Sequence, residues 1–226
     1  MTNLADTRRQ YDYSSLTRKQ LDADPFKQMQ LWLQQAKEAE LKDATSMTLA
    51  TNDSTGDNSN MPDARIVLLK QLDKKGLCWY TNYASHKGQQ LANNPQACLL
   101  FYWRDFDRQV KIQGQVEKLG AAEADAYFHS RPLASQLSAA ASAQSQPIAS
   151  RDALEDKLQQ LQNHAANSDA STITRPESWG GYRLVPQTFE FWQGRENRLH
   201  DRFTYTLDNR DNGDNAKQWT ITRLQP

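Results

Sequence analysis

Apolar residues first fall into a helical rhythm after Asp24-Pro25. Phe26, Met29, Leu33 and Ala36 form one stripe and predict a helix reaching about Leu41. Asp24 suits the N-cap and Pro25 the first helical position, where its missing N–H goes unneeded. Short apolar runs at 47–51 and 64–70 predict two strands. The stretch between them, 52–63, is dominated by Asn, Asp, Ser and Gly and reads as a hairpin loop. A strand over 76–82, a short helix over 85–93 and a buried strand over 97–103 follow. From Gln109 to Glu117 the pattern alternates: Val110, Ile112 and Val116 take one face, and Lys111, Gln113, Gln115 and Glu117 the other.

Helical spacing returns at 121–130 and meets Pro132, which either ends that helix or begins another. A further helix is expected from Ser150, with Leu154, Leu158 and Leu161 along one side, and then a loop from His164 to Pro176. The tail predicts strands at 181–184, 188–192, 203–207 and 218–223, with a second polar insertion at 208–217. About seven strands, separated by turns and short helices rather than by regular crossover helices, predict a mainly β chain with peripheral α-helices (α+β), an antiparallel barrel in one domain.

Composition narrows the partners. Of 226 residues, 38% are hydrophobic, and six Trp, eight Tyr and seven Phe supply the bulk of a core. Twenty-seven basic residues balance 27 acidic ones, so no global field gathers nucleic acid or an anionic membrane, and an anionic ligand must be held by a local cluster. No apolar run approaches the ~20 residues that span a bilayer. The first ten residues are polar, without a signal-peptide core, so the expected location is the cytoplasm. Cys78 and Cys98 lie in apolar runs and read as buried free thiols, and four scattered histidines give no metal triad. No Rossmann fingerprint, P-loop or nucleophile elbow occurs, so demanding chemistry would have to come from an organic cofactor.

Three constellations remain. Arg65-Ile66-Val67-Leu68-Leu69-Lys70 places a cation at each end of an apolar run. Alone this reads as ordinary strand ends, but an odd separation turns the two cations to opposite faces, where they could serve two anions. Tyr80-Thr81 closes the next strand, and Ser85-His86-Lys87 sits at a helix start, a plausible phosphate cradle. Tyr127, Arg131 and Ser135, spaced around Pro132, read either as a solvated helix junction or as a phosphate site at a helix N-terminus. Finally, Arg198, His200 and Arg202 would share one face of a strand just after Trp192 and Gly194. That favours an anion or an electron-rich ring against them over a merely solvated edge.

Arg65-Ile-Val-Leu-Leu-Lys70, Tyr80-Thr81, Tyr127-Phe-His-Ser-Arg-Pro132, Gln144-Ser145, Trp179-Gly-Gly181 and Glu190-Phe-Trp-Gln193…Arg198-Leu-His-Asp-Arg202 resemble the pyridoxine/pyridoxamine 5′-phosphate oxidase family, in order from Arg8 to Arg223-Leu224. The resemblance implies a split antiparallel β-barrel homodimer with FMN at the subunit interface. It also implies oxidation of a phosphorylated B6 vitamer to pyridoxal 5′-phosphate, with hydride passed to the flavin N5 and O2 reduced to H2O2; the amine substrate also releases ammonia. By motif match, Arg65, Ile66, Val67, Leu68, Leu69, Lys70, Tyr80, Thr81, His86, Lys87, Gln109, Gln144, Ser145, Trp192 and Arg202 would contact FMN. Lys70, Tyr127, Arg131 and Ser135 would hold the substrate phosphate. Arg198 and His200, the expected catalytic pair, with Leu199 between them, would clamp the pyridine ring. Arg8, Arg9, Gln10 and Tyr11 match a segment that folds over the substrate, so residues 1–24 are expected as a lid on a single domain, 25–226.

One departure stands out: the family often carries arginine where this chain has His86. A neutral imidazole binds phosphate less well than a permanent cation, so FMN retention is expected to weaken as pH rises past ~6.5, where histidines ordinarily titrate. His129 is expected as a packing residue. Two other functions compete: a non-catalytic carrier on the same barrel, which would not need the Arg198–His200 clamp, and a nicotinamide-linked flavin reductase, which NADH oxidation would reveal.

Overall fold

The Asp24 carboxylate accepts the Phe26 N–H at 2.9 Å and so starts α1 (Pro25–Glu38) where the sequence places its cap. The computed structural model describes residues 9–54, 61–167, 173–208 and 218–226. Phe26, Met29 and Ala36 of α1 are buried as expected, joined by Trp32, while Leu33 is only partly covered. Phe26 and Trp32 meet Phe189 and Phe191 edge-on, both with centroids 5.2 Å apart. Aromatic edges of this kind add to the area burial of the helix on the sheet.

The strands are β1 (Ser46–Asn52), β2 (Pro62–Leu68), β3 (Gln71–Asp73), β4 (Gly76–Asn82), β5 (Gln96–Trp103), β6 (Arg108–Lys118), β7 (Trp179–Gln193), β8 (Asp201–Asp208) and β9 (Gln218–Leu224). They form one curled antiparallel sheet in the order β2-β1-β5-β6-β7-β4-β3, with β8 pairing β7 and β9. The predicted barrel class holds, as a half-barrel. Nine strands are present where about seven were expected; β3 went unforeseen because its three residues are too few to show a period.

The predicted strands 181–184 and 188–192 are a single strand, β7, 15 residues long. Pro186 suggests a break, but a register shift beside Gln113 and Gly114 of β6 absorbs its missing N–H. The first half of β7 lies between β4 and β6 and its second half between β6 and β8. Leu99, Phe101, Val110, Ile112, Phe189 and Phe191 are fully buried on the inner face.

Four more helices lie outside the sheet: α2 (His86–Asn93), α3 (Ala121–Ser130), α4 (Leu133–Ala141) and α5 (Arg151–Asn167). Pro132 both ends α3's neighbourhood and precedes α4. His164, expected to open a loop, is still inside α5. His129 is exposed, with Nε2 3.1 Å from the Ile173 carbonyl, and is not a packing residue. Cys78 is buried and Cys98 half-buried, both free thiols. Half of the loop expected at 52–63, residues 55–60, and the insertion at 209–217 lie outside the described residues. No helix among the described residues is long and apolar enough to cross a membrane.

Candidate active site

β2 ends at Leu68, so Arg65 and Lys70 do not share one strand as the sequence suggested. They still part company. Arg65 lies on the inner face of β2, whose alternation leaves Ile66 and Leu68 outside, while Lys70 stands exposed between β2 and β3. Val67 is half-covered and Leu69 buried.

Lys70 lines a cavity of about 740 Å3 with Leu68, Tyr80, Thr81, Tyr127, Arg131, Ser135, Gln144 and Trp179. Three chain segments far apart in sequence therefore converge: the end of β4, the α3–α4 junction and the start of β7. The Tyr80 ring stacks on Tyr127 at 3.8 Å and on Trp179 at 5.5 Å. Burial, with Glu123 nearby, pushes the Tyr80 phenol up to about 12, so it stays neutral.

Arg131 follows α3, and Gln136 fixes its backbone by donating to the Arg131 carbonyl at 2.8 Å. Its guanidinium lies 4.8 Å over Trp179, and its buried Nη1 has no hydrogen-bond partner among the described residues. Burial lowers the Arg131 pKa, but a guanidinium remains charged. A partly buried cation with an unused donor is the signature of an anion site.

A second cation stands at the start of α2. Ser85 caps that helix, its hydroxyl accepting the Gly88 N–H at 3.4 Å. Lys87 Nζ donates to Gln144 Oε1 at 2.8 Å, and lies 3.3 Å from Ser85 Oγ and 3.4 Å from Thr81 Oγ1. Among the described residues these are neutral partners, and no carboxylate pairs with this ammonium. Burial, then the neighbouring Arg65 charge, lowers its pKa. Arg65 itself donates to the Leu49 carbonyl, Thr51 Oγ1 and Asp63, and Asp63 also meets His86 Nδ1 at 3.0 Å. Ser145, beside Gln144, holds a left-handed φ of 70°.

The remaining expected residues gather elsewhere. Gln109, Trp192 and Arg202 form one lateral row across β6, β7 and β8. Arg202 is engaged with Glu190 at 2.7 Å and with the Gln225 carbonyl at 3.0 Å. Trp192 and His200 have centroids 4.6 Å apart, and Tyr11 meets both edge-on at 5.7 and 5.3 Å. The expectation that Arg198, His200 and Arg202 share a strand face fails. β8 starts only at Asp201, and Asn197 and Arg198 take left-handed φ values of 53° and 62°, which breaks the alternation.

His200 is instead fixed by a turn: its Nδ1 accepts the Arg195 N–H at 3.1 Å, so the ring proton of the neutral form sits on Nε2. Burial and the Arg198 charge lower its pKa, against the opposing pull of Asp201. Arg198 and Leu199 are exposed. Asp201 is buried and ties three segments together, accepting from the Leu16 N–H at 3.0 Å, Arg195 at 3.2 Å and Arg223.

The N-terminal segment reaches this cluster. Arg9 pairs with Asp107 at 2.5 Å and donates to Tyr102 Oη at 3.0 Å; Gln10 is exposed, and Arg8 lies outside the described residues. Gly194 allows the approach, since a Cβ there would stand 2.6 Å from Tyr11 Cδ1.

One protomer thus carries a cationic cavity at the Trp179 end of β7 and a ring-and-imidazole cluster at the Trp192 end. Thirteen residue steps of about 3.3 Å put ~40 Å of strand path between them. Sequence reasoning quoted Trp179 and Asp201 in motifs without a role, and missed Asp63 altogether. An aromatic directly before Gly180-Gly181 was the available signal for the first; nothing local marks the other two.

Residues 33–165 match the family model described as pyridoxamine 5′-phosphate oxidase, and residues 179–226 match the pyridoxine 5′-phosphate oxidase C-terminal dimerisation region. The chain is 48% identical over 226 residues to a pyridoxine/pyridoxamine 5′-phosphate oxidase of Ralstonia pickettii, covering 100% of both chains. It is 46% identical over 223 residues to that of Trichormus variabilis, covering 99% of this chain and 98% of the other. Among solved structures, PhzG from Burkholderia lata 383, in complex with tetrahydrophenazine-1-carboxylic acid, superposes with TM-score 0.81 at 29% identity, covering 92% of this chain and 95% of that one. A pyridoxamine 5′-phosphate oxidase-related, FMN-binding protein of Nostoc punctiforme shares the fold at TM-score 0.68 and 15% identity, covering 91% and 100%. With matched segments spanning both the cavity and the strands that carry the distal cluster, the chain belongs to the pyridoxamine 5′-phosphate oxidase family.

Proposed function

We propose that this protein is an FMN-dependent oxidase that converts pyridoxine 5′-phosphate or pyridoxamine 5′-phosphate to pyridoxal 5′-phosphate. The observation that carries the reading is the unpartnered Arg131 Nη1 in a cavity it shares with Lys70, Tyr127 and Ser135. Two cations and two hydroxyls match the oxygens of a phosphate monoester.

The chain also fits the cofactor. Lys87, a half-buried ammonium that pairs with no carboxylate among the described residues, stands beside Arg65 and the capped start of α2, a second place for a phosphate. When bound, the flavin supplies hydride acceptance at N5 and reoxidation by oxygen to peroxide. The protein's own residues bind and orient. Lys70, Arg131, Tyr127 and Ser135 hold the substrate phosphate; Arg198 and His200 clamp the pyridine, His200 offering its Nε2–H as a donor; Trp192 and Tyr11 exclude water.

Because those two groups stand at opposite ends of β7, each complete site combines the cavity of one subunit with the His200 cluster of a second copy. The match to a dimerisation region supports this homodimer. Residues 9–16 then act as a cover over the ring end.

The test is aerobic turnover of FMN-loaded protein with pyridoxine 5′-phosphate, following aldehyde and peroxide together. Equal formation of both is expected; bound FMN with no aldehyde sinks the reading. A second reading, oxidation of a reduced tricyclic carboxylate, is favoured by the likeness to PhzG. A lone carboxylate would leave part of the four-donor set unused, and the same assay with a reduced phenazine carboxylate separates the two.

A further inference from the structure

Arg65 is held in place by neutral acceptors of β1: its Nη1 donates to the Leu49 carbonyl at 3.1 Å and to Thr51 Oγ1 at 2.6 Å. Its Nη2 donates to Asp63 and, at 3.3 Å, to Gln90 Oε1 of α2, the helix at whose start a phosphate would approach. Asp63 shares the inner face of β2 with Arg65, two residues away, and its carboxylate also lies 3.0 Å from His86 Nδ1. Lys87, next along α2, lacks a carboxylate of its own among the described residues. At 35% side-chain exposure, Asp63 sits on the rim of the cluster and can rotate into water.

We propose that Asp63 is a resident counter-ion: it pairs with Arg65 and His86 while the cofactor is absent, competes with the cofactor phosphate for those donors, and so sets FMN affinity. This rests on the reading above that the cluster receives that phosphate. A carboxylate and a phosphate cannot both be close to one cation pair without mutual repulsion, and the covalently tethered carboxylate is always at hand. Arg65 does not need Asp63 for its placement, so removing the charge frees the donor without disordering it.

The experiment is flavin fluorescence quenching with FMN and, separately, riboflavin, which lacks the phosphate, on the wild type, Asp63→Asn and Asp63→Glu. Asp63→Asn is expected to lower the FMN Kd about tenfold at low ionic strength and less at high salt, with riboflavin unchanged. Asp63→Glu, which keeps the charge, stays near the wild type. Weaker FMN binding by Asp63→Asn would assign Asp63 to aiming Arg65 and overturn the proposal, as would equal tightening of FMN and riboflavin. Wild-type protein that binds riboflavin as tightly as FMN also overturns it while leaving a flavin site; protein that binds neither sinks the flavin reading itself. Unchanged melting temperatures establish that the variants are folded.

Discussion

The guanidinium of Arg131 rests 4.8 Å above the ring of Trp179, which itself stands parallel to Tyr127 at 6.3 Å. Trp179 therefore sets the plane in which this guanidinium is presented to the cavity. Arg175 in turn fixes Trp179, donating to its carbonyl at 2.5 Å while pairing with Asp125 of α3 at 2.6 Å. Trp179→Phe keeps an aromatic platform but a smaller one. A cation–π loss of about 1 kcal/mol predicts a KM for the phosphorylated substrate raised roughly fivefold with kcat within a factor of two. Equal losses in both would show that Trp179 serves only the fold.

Lys87 provides the sharper test of the cofactor end. Lys87→Met leaves Gln144 and Thr81 in place but removes the unpaired charge, and a charge-assisted hydrogen bond is worth about 1.5–3 kcal/mol. The FMN Kd should rise some 10- to 150-fold. Riboflavin titrated alongside should hardly respond.

His86→Arg works in the opposite direction. The imidazole is 64% exposed and leans on Asp63, so a permanent cation there should tighten FMN at pH 8 by a modest factor of about three. An unchanged dissociation constant would remove His86 from the phosphate cluster.

For His200 the sign follows from its surroundings. Burial and the Arg198 charge disfavour imidazolium, and protonating Nδ1 would also break the bond from the Arg195 N–H. The neutral ring therefore persists to a pH below the ordinary ~6.5. NMR titration of its ring protons should place the midpoint under that value, and Arg198→Gln should move it upward. A midpoint above ~6.5 in the wild type would contradict the acceptor role given to Nδ1.

Glu190 predicts how acid acts on the sheet. Burial by itself would raise its pKa, but hydrogen bonds and charge from Lys111 and Arg202 outweigh that and hold it below the ordinary glutamate value. A carboxylate depressed on folding contributes stability that is complete above pH ~4.5 and disappears as pH falls through the folded value. Glu190→Gln should cost about 1–2 kcal/mol at pH 7 and nearly nothing once the wild-type carboxylate is protonated. Thermal melts across pH 3–7 would reveal that convergence, and parallel curves would refute it.

Local rules carried most of the fold into view. The Asp24-Pro25 start, the alternation from Gln109 to Glu117 and the junction at Pro132 are short-range physics, and each appears where the sequence puts it. β7 did not, because its bulge reconciles Pro186 with an unbroken strand only through pairing with β6, a long-range condition. The Arg198–Arg202 alternation misled for the reverse reason: left-handed backbone at Asn197 and Arg198 is a local strain that residue identity does not announce. Lys70, Tyr127, Arg131 and Ser135 were legible as cationic and hydroxyl pairs, and they do line one cavity. Their separation from His200 was not legible, since spacing along a chain says nothing of which end of a strand a residue occupies. The roles of Asp63 and Asp201 stayed hidden because a carboxylate that matters through its partners looks like any other in sequence.

The length of β7 has a genetic consequence. In the two-subunit site proposed above, a subunit with a broken Trp179 end would still offer an intact Trp192 end to its neighbour. Two differently damaged chains, one Arg131→Ala and one His200→Ala, are therefore each inactive as pure dimers but complementary when refolded together. Random pairing makes half the dimers hybrid, each with one whole site and one doubly damaged one, so about a quarter of wild-type activity should return. Inheritance of such a protein would follow the pair of alleles and not either allele alone.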